Sequence, residues 1–471
     1  MAISAPSLPP VRTEIREQTL MRTADKLLRV LMLTMSVSMM TGIMFNIALP
    51  RISAEFSLTI AQVSWMSSAY ILIYAVGSVT YGKLADRFPL KNLVTAGLLV
   101  FALGSLLGLT SHGFAAALAG RCLQAAGAAV IPAMSMIIPL RYFAPERRGA
   151  ALGMTAVGLA FGNALGPVIA ALIVSSLNWR WLFAVPLVVL AALPLFRKYL
   201  GDERPQPQGG TFDWLGGLLL GAAIALLLLS VTQGSWLLGL ALPAAALFVL
   251  RIRVAREPFI APHLFRNARY TLGLTVSFLV SATCCSLYVV SPLLLTDVQR
   301  LPSLWIGFVM VPAAIASAAF GRAGGRLADT KGNLFVVCVA SSLLAACFAL
   351  LSVFAGGSPV LISALLMLGN VGQSFLVIAL SNAVSRTLPA EQVGVGMGML
   401  SMANFIGQGM AIGTYSRIVD HGAATTSPLN PFYGYGEGAV FSNMYLAIAA
   451  AQVIIWALYA LTFSTRRATT A

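Results

Sequence analysis

Apolar runs follow one another along this chain at residues 28–49, 61–82, 92–111, 114–139, 149–173, 179–197, 214–233, 236–251, 271–294, 303–323, 333–354, 358–383, 393–416 and 440–463, fourteen in all. Most reach or approach the roughly 20 residues with which an α-helix crosses a hydrocarbon core. Backbone polar groups in lipid must be satisfied within the segment, so the expected fold is an all-α integral membrane protein. Of the 471 residues, 58% are hydrophobic and only 10% charged, which excludes a soluble enzyme and leaves no length for a separate soluble domain.

Thirty Lys and Arg stand against fifteen Asp and Glu, a formal charge of +15. In a soluble chain that balance points to nucleic acid. Laid on the spans with the amino terminus inside, 25 of the basic residues fall in the inward connections and tails. Only Arg51, Arg180, Arg300 and Arg417 fall outside, and Arg121 lies within the fourth span. The excess is therefore an orientation signal that puts both termini in the cytosol, and no basic-aromatic cluster supports a nucleic-acid partner. The five cysteines lie in apolar runs without paired spacing, and no acid pair, His cluster or Ser/His/Asp set sits at membrane depth. No disulfide framework, metal site, cofactor or catalytic centre is expected.

The two halves repeat. Gly82-Lys83-Leu84-Ala85-Asp86-Arg87 after the second span returns as Gly325-Arg326-Leu327-Ala328-Asp329-Thr330 after the tenth, offset by 243. Gly149, Gly153, Met154 and Gly162-Asn163 return as Gly394, Gly398, Met399 and Gly407-Gln408, offset by 245. Both copies keep one membrane orientation, so the halves resemble repeats related by an axis along the membrane normal, as in major facilitator transporters. The expected organisation is a cytosolic tail (1–27), an N-terminal six-helix bundle (28–200), a central hairpin with cytosolic linkers (201–270), a C-terminal six-helix bundle (271–463) and a second tail (464–471).

Seven stretches in order carry a more specific resemblance: Asn46-Ile47-Ala48-Leu49-Pro50; Trp65 with Tyr70; the Gly82–Lys91 loop; Arg121 with Gln124 and Gly127; Gly162 with Gly166-Pro167; Asn178-Trp179-Arg180-Trp181; and Phe212-Asp213-Trp214-Leu215-Gly216. The sequence resembles the fourteen-span drug:proton antiporter family of the major facilitator superfamily, and is similar to the tetracycline efflux proteins of Gram-positive bacteria. The resemblance implies a multi-pass protein of a bacterial inner membrane that exports a small amphiphile by alternating access. It also implies proton coupling. Gly82, Asp86, Arg87, Arg326 and Asp329 match the inward gate, with Asp86 facing the positive end of the third span and Arg87 pairing across the bundle. Pro89 stands where the family pattern has glycine.

Arg121 is the one basic residue well within a span, and burial there demands compensation. The resemblance puts it on the cavity wall, with a role in proton transfer or cavity electrostatics; carbonyls at a helix break could equally satisfy it. Gly158, Gly162 and Gly166 recur every fourth residue, share one helical face ahead of Pro167, and match the family's antiporter signature. Helix packing explains the same spacing. The methionines of span one, Met35, Met39, Met40 and Met44, read either as a soft pocket or as packing.

All fifteen carboxylates can be assigned to tails, connections and span ends. The relatives carry membrane acids where this chain has Thr41 or Gly42, Asn163 and Gln408. Amides hydrogen-bond but do not titrate. Asn46, Arg121, Asn163, Gln373, Asn404 and Gln408 are therefore the candidate cavity, one suited to an uncharged or anionic amphiphile rather than a cation. The expected partners are that small molecule, protons by resemblance, and the lipid bilayer, with the chain a monomer. A proton-independent facilitator or anion exchanger, for example for a siderophore or metabolite, is the alternative.

Overall fold

The computed structural model describes residues 10–463 apart from 59, 64, 145–146, 202–212, 390–391, 423–426 and 436. The tail 464–471, residues 1–9 of the other tail, and Phe212 with most of the linker before the central hairpin thus lie outside the described residues. Among the described residues the backbone is helical, without strands, in fourteen long segments. These are α1 (Pro10–Phe56), α2 (Trp65–Ala85), α3 (Leu90–Leu109), α4 (Phe114–Tyr142), α5 (Arg148–Ser176), α6 (Trp179–Tyr199) and α7 (Trp214–Gln233). There follow α8 (Leu238–Val254), α9 (Ala268–Asp297), α10 (Ser303–Lys331), α11 (Asn333–Phe354), α12 (Pro359–Ser385), α13 (Val393–Gly422) and α14 (Ala439–Phe463). Eleven of these segments are long and apolar enough to cross a membrane; α2, α7 and α8 fall short of that measure.

Each segment coincides with one of the apolar runs, with one difference in kind and one in extent. In α6 the chain winds as 3-10 turns over Trp179–Phe183 and Val185–Ala192 before an α-helical end at Leu193–Tyr199. Pro186 and Pro194 each remove an amide donor there, and Asn178 caps the start by accepting the Arg180 N–H at 2.9 Å. At the other end of the chain, α1 begins at Pro10, inside the stretch expected as tail.

Internal symmetry governs the packing. In the first bundle α1 packs on α5, and in the second its repeat mate α9 packs on α13, the mate of α5. The bundles meet along two seams, α5 against α10 and α2 against α13, which the repeat exchanges. The hairpin α7–α8 turns at Gly234 (φ 147°). Its α7 lies against α2 and α13, while α8 touches α7 and exposes Leu240, Leu242, Leu247 and Val254.

The ends opposite the basic connections are tied within each bundle. Glu55 accepts the Trp179 indole N–H at 2.6 Å and pairs with Arg180 at 2.8 Å, while Arg180 also donates to the Ser111 carbonyl at 2.7 Å. Burial pushes the Glu55 carboxyl up, but those two donors outweigh it and hold it below its ordinary value. The long loop after α13 seats on the second bundle: Asn430 donates to Ser352 at 2.9 Å, and Tyr435 packs over Gly356.

Candidate functional site

At the basic face the two seams close through matching devices. Asp86, at the end of α2, accepts the Gly394 and Val395 N–H groups at 3.1 and 3.0 Å. Asp329, within the last turn of α10, accepts those of Gly149 and Ala150 at 3.0 and 3.1 Å. Each carboxylate thus caps the first turn of a helix in the opposite bundle, where unpaired amides and the helix dipole favour negative charge. Glycines let the backbones approach: a Cβ on Gly82 would stand 2.5 Å from the Gly394 carbonyl oxygen, and one on Gly149 2.6 Å from that of Gly325. The sequence echoes are therefore two halves of two contacts, Gly82 meeting Gly394 and its mate Gly325 meeting Gly149.

The basic residues of the gate reach both the linker and the seam. Arg87 pairs with Glu257 at 2.9 Å, in the linker between the central hairpin and α9. Arg141 pairs with Asp86 at 3.3 Å. Burial nevertheless raises the Asp86 carboxyl to about 6, against the opposing pull of the two amides and Arg141. Lys83 donates to the Pro258 carbonyl at 2.5 Å, so the linker is fastened to α2 twice. Arg326 is exposed at the edge of the Asp329 contact.

Between the bundles, above this gate, lies a cavity of about 60 Å³. Gln373, Asn404 and Gln408 line it, with Met35, Met136 and Phe405 among its apolar walls. Asn404 accepts from Ser277 at 2.8 Å. Tyr288 reaches the amide oxygens of Asn370 and Gln373 at 2.6 and 2.8 Å, and Asn163 from the first bundle also bonds its hydroxyl. One phenol hydrogen serves one acceptor, so the remaining amides meet the phenol oxygen as donors and the group forms a neutral network spanning the seam. Among the described residues no Asp or Glu lines this cavity. Phe405 packs edge-on against Tyr74 of the first bundle, ring centroids 4.7 Å apart.

Three of the six cavity candidates lie outside that lining, Asn163 among them, which reaches it only through Tyr288 and Gln373. Asn46 accepts from Ser67 at 2.6 Å on an exposed stretch of α1, outside the cavity lining. Arg121 is fully buried inside the first bundle and outside that lining too. Its guanidinium donates to the Met66 carbonyl (3.3 Å), the Gln124 side chain (3.1 Å), and the Thr41 and Gly42 carbonyls (2.9 and 3.2 Å). It stacks between Phe45 and Tyr70, 4.2 and 3.8 Å from the ring centroids. Carbonyls and ring faces thus pin α1, α2 and α4 together through it.

The glycine run of α5 faces α1. A Cβ on Gly158 would stand 3.2 Å from the Met35 Cβ, one on Gly162 2.6 Å from that of Met39, and one on Gly166 2.8 Å from Ile43 Cγ1. Pro167 follows within the same helix. Gly407, the mate of Gly162, meets the Phe278 carbonyl of α9 in the same way, at 2.6 Å. Of the methionine stripe only Met35 reaches the cavity, while Met39 and Met40 fill the seam beside these glycines. The spacing could not have revealed Tyr288, Asn370 or Phe405, which have no polar counterpart in the repeat.

Two pseudosymmetric helical bundles that close at one end around a largely apolar central cavity carrying three amides have the architecture of a membrane transporter. The chain belongs to the Major Facilitator Superfamily, whose profile matches residues 31–412. It is 25% identical over 371 residues to the riboflavin transporter RibZ of Clostridioides difficile (strain 630), spanning 78% of this chain and 81% of that one. A multidrug resistance protein B homolog of Mycobacterium tuberculosis (strain ATCC 25618 / H37Rv) is 27% identical over 416 residues, 82% of this chain and 76% of its own. The fold is that of the human organic anion transporter MFSD10 (TETRAN), with TM-score 0.63 and 17% identity over 92% of this chain and 99% of the other.

Proposed function

We propose that the protein exports a small uncharged or anionic amphiphile across a bacterial inner membrane by alternating access, with fourteen spans and both termini cytosolic. The basic face is the cytosolic one, and the conformation described is closed there by Asp86 and Asp329. The observation that carries the cargo reading is the amide lining: Gln373, Asn404 and Gln408 offer donors and acceptors without charge, and Tyr288 and Asn163 stand behind Gln373 in a neutral network. A cationic drug would find no counter-ion there. At about 60 Å³ the cavity is far below the roughly 300 Å³ of the smallest ordinary ligand sites, so loading requires the bundles to part. The names of the relatives, a riboflavin transporter and multidrug resistance proteins, agree with an uncharged ring system or a broad amphiphile range.

Proton drive follows from the family resemblance. The lack of a carboxylate in the cavity lining favours a second reading, a proton-independent facilitator or anion exchanger. Proteoliposomes with an entrapped pH dye and an imposed proton gradient separate the two when neutral, anionic and cationic amphiphiles are added in turn. Cargo-triggered proton movement supports antiport; cargo flux with a silent dye leaves the facilitator; flux confined to cations defeats the cargo reading.

A further inference from the structure

A recess of about 470 Å³ opens on the basic face beside the Asp329 contact. Arg29 and Arg147 line it from the first bundle, Arg322 and Arg326 from the second, and its acids are Asp25 and Asp329. Among the described residues, four guanidinium groups against two carboxylates leave two positive charges over, in a concavity that concentrates their field. Asp329 is already engaged by two amides, and Arg147 stands 3.5 Å from Asp25. Arg322 rests its Nε on the Met154 sulfur at 3.1 Å, a weak acceptor. Among the described residues no carboxylate pairs with Arg29, Arg322 or Arg326.

The other seam indicates what such a position requires. Lys83 holds in the first repeat the place of Arg326 in the second. There the chain supplies oxygen ligands from its own linker: the Pro258 carbonyl to Lys83 at 2.5 Å, and the Glu257 carboxylate to the neighbouring Arg87 at 2.9 Å. The linker runs past one seam only, and among the described residues no segment plays its part at the other.

We propose that the four-arginine recess binds a phosphate-bearing anion, which completes the Asp329 seam as Glu257 and Pro258 complete the Asp86 seam. Guanidinium forks match phosphate oxygens in pairs and hold them in geometries an ammonium cannot. Two of the arginines come from each bundle, so the anion fits the closed gate alone and draws the equilibrium toward closure by mass action. An inner-leaflet phospholipid headgroup and a soluble phosphate ester present the same chemistry. The proposal needs the two-bundle gate but not the export reading.

The test has two arms, one for each source. In uncharged detergent micelles the purified protein is titrated with pyrophosphate and its unfolding midpoint followed. In phosphatidylcholine nanodiscs, with and without phosphatidylglycerol, the spacing of the bundles on the basic face is read from spin labels. A higher midpoint or a narrower spacing supports the site, and the responding arm identifies the source. Arg29→Gln combined with Arg322→Gln, both at exposed positions, is expected to weaken the response about tenfold, while Arg300→Gln on the opposite face leaves it unchanged. Silence in both arms, or a response undiminished in the double variant, overturns the proposal. Cargo flux by the unaltered protein without added phosphate tests the export reading separately.

Discussion

Adding a single methyl group at Gly325 is expected to open the gate on the basic face. A Cβ there would stand 2.5 Å from the Ala150 Cα and as close to the adjoining Gly149 carbonyl group. Carbon atoms in ordinary contact lie about 3.5–4.0 Å apart, so α5 and α10 must separate by about 1 Å. The opposing atoms are backbone and cannot rotate away as the end of a side chain could. Overpacking of this kind costs about 1–3 kcal/mol, and the same separation stretches the bonds from Gly149 and Ala150 to Asp329. Only the closed conformation bears the cost, so Gly325→Ala shifts the closed-to-open ratio by about 5- to 150-fold. The assay is double electron–electron resonance between nitroxides at Ala144→Cys and Thr330→Cys, which flank the seam, in a background lacking the five native cysteines. Gly239→Ala is the control, since nothing lies within 4 Å of a Cβ at that position. A distance distribution in Gly325→Ala that matches the control refutes the reasoning.

Three further expectations rest on separate observations. Closure should depend on pH through Asp86: its carboxyl is raised to about 6 in the closed gate and returns toward the ordinary ~4 when hydrated in the open one. The closed state therefore binds the proton more tightly, and its advantage is complete below pH ~4 and lost as pH rises through about 6. The same spin-label distances measured from pH 7 to pH 4 check this, and Asp86→Asn should flatten the dependence. Arg121→Lys should lower the unfolding midpoint in detergent, because one ammonium cannot serve the Met66, Thr41 and Gly42 carbonyls and Gln124 together; Arg121→Ala should cost about 2–4 kcal/mol, and an unchanged midpoint would contradict the bracing role. Tyr288→Phe should weaken cargo binding by about tenfold while leaving the unfolding midpoint within a few degrees, measured by equilibrium binding of a transported amphiphile.

Much of this architecture is legible in the amino-acid order because lipid leaves the backbone few options. The apolar runs mark the helices, and the Gly82/Gly325 and Gly149/Gly394 echoes mark the seams, since close approach of two backbones needs glycine on both sides. What the echoes could not convey is which glycine meets which, because that depends on the bundles facing each other. Arg87 illustrates a second limit. Its partner Glu257 lies 170 residues away in a linker that no periodicity places. Arg121 shows a third: a lone basic residue in a span signals compensation, but carbonyls from α1 and α2 leave no trace in composition. The cavity was half visible for a related reason. Gln373, Asn404 and Gln408 stand out as amides in apolar helices, whereas Tyr288 reads as one more aromatic until its hydroxyl is seen bonded to Gln373 and Asn370.

The most direct test of the central claim, that the two bundles must part at the basic face for cargo to pass, is transport with that face held shut. A short cleavable cross-linker between Ala144→Cys and Thr330→Cys, in proteoliposomes loaded with an uncharged amphiphile, fixes the seam in the conformation described. Alternating access requires flux to stop on cross-linking and to return when the linker is cleaved. Flux that continues at its original rate through the cross-linked protein would contradict the account.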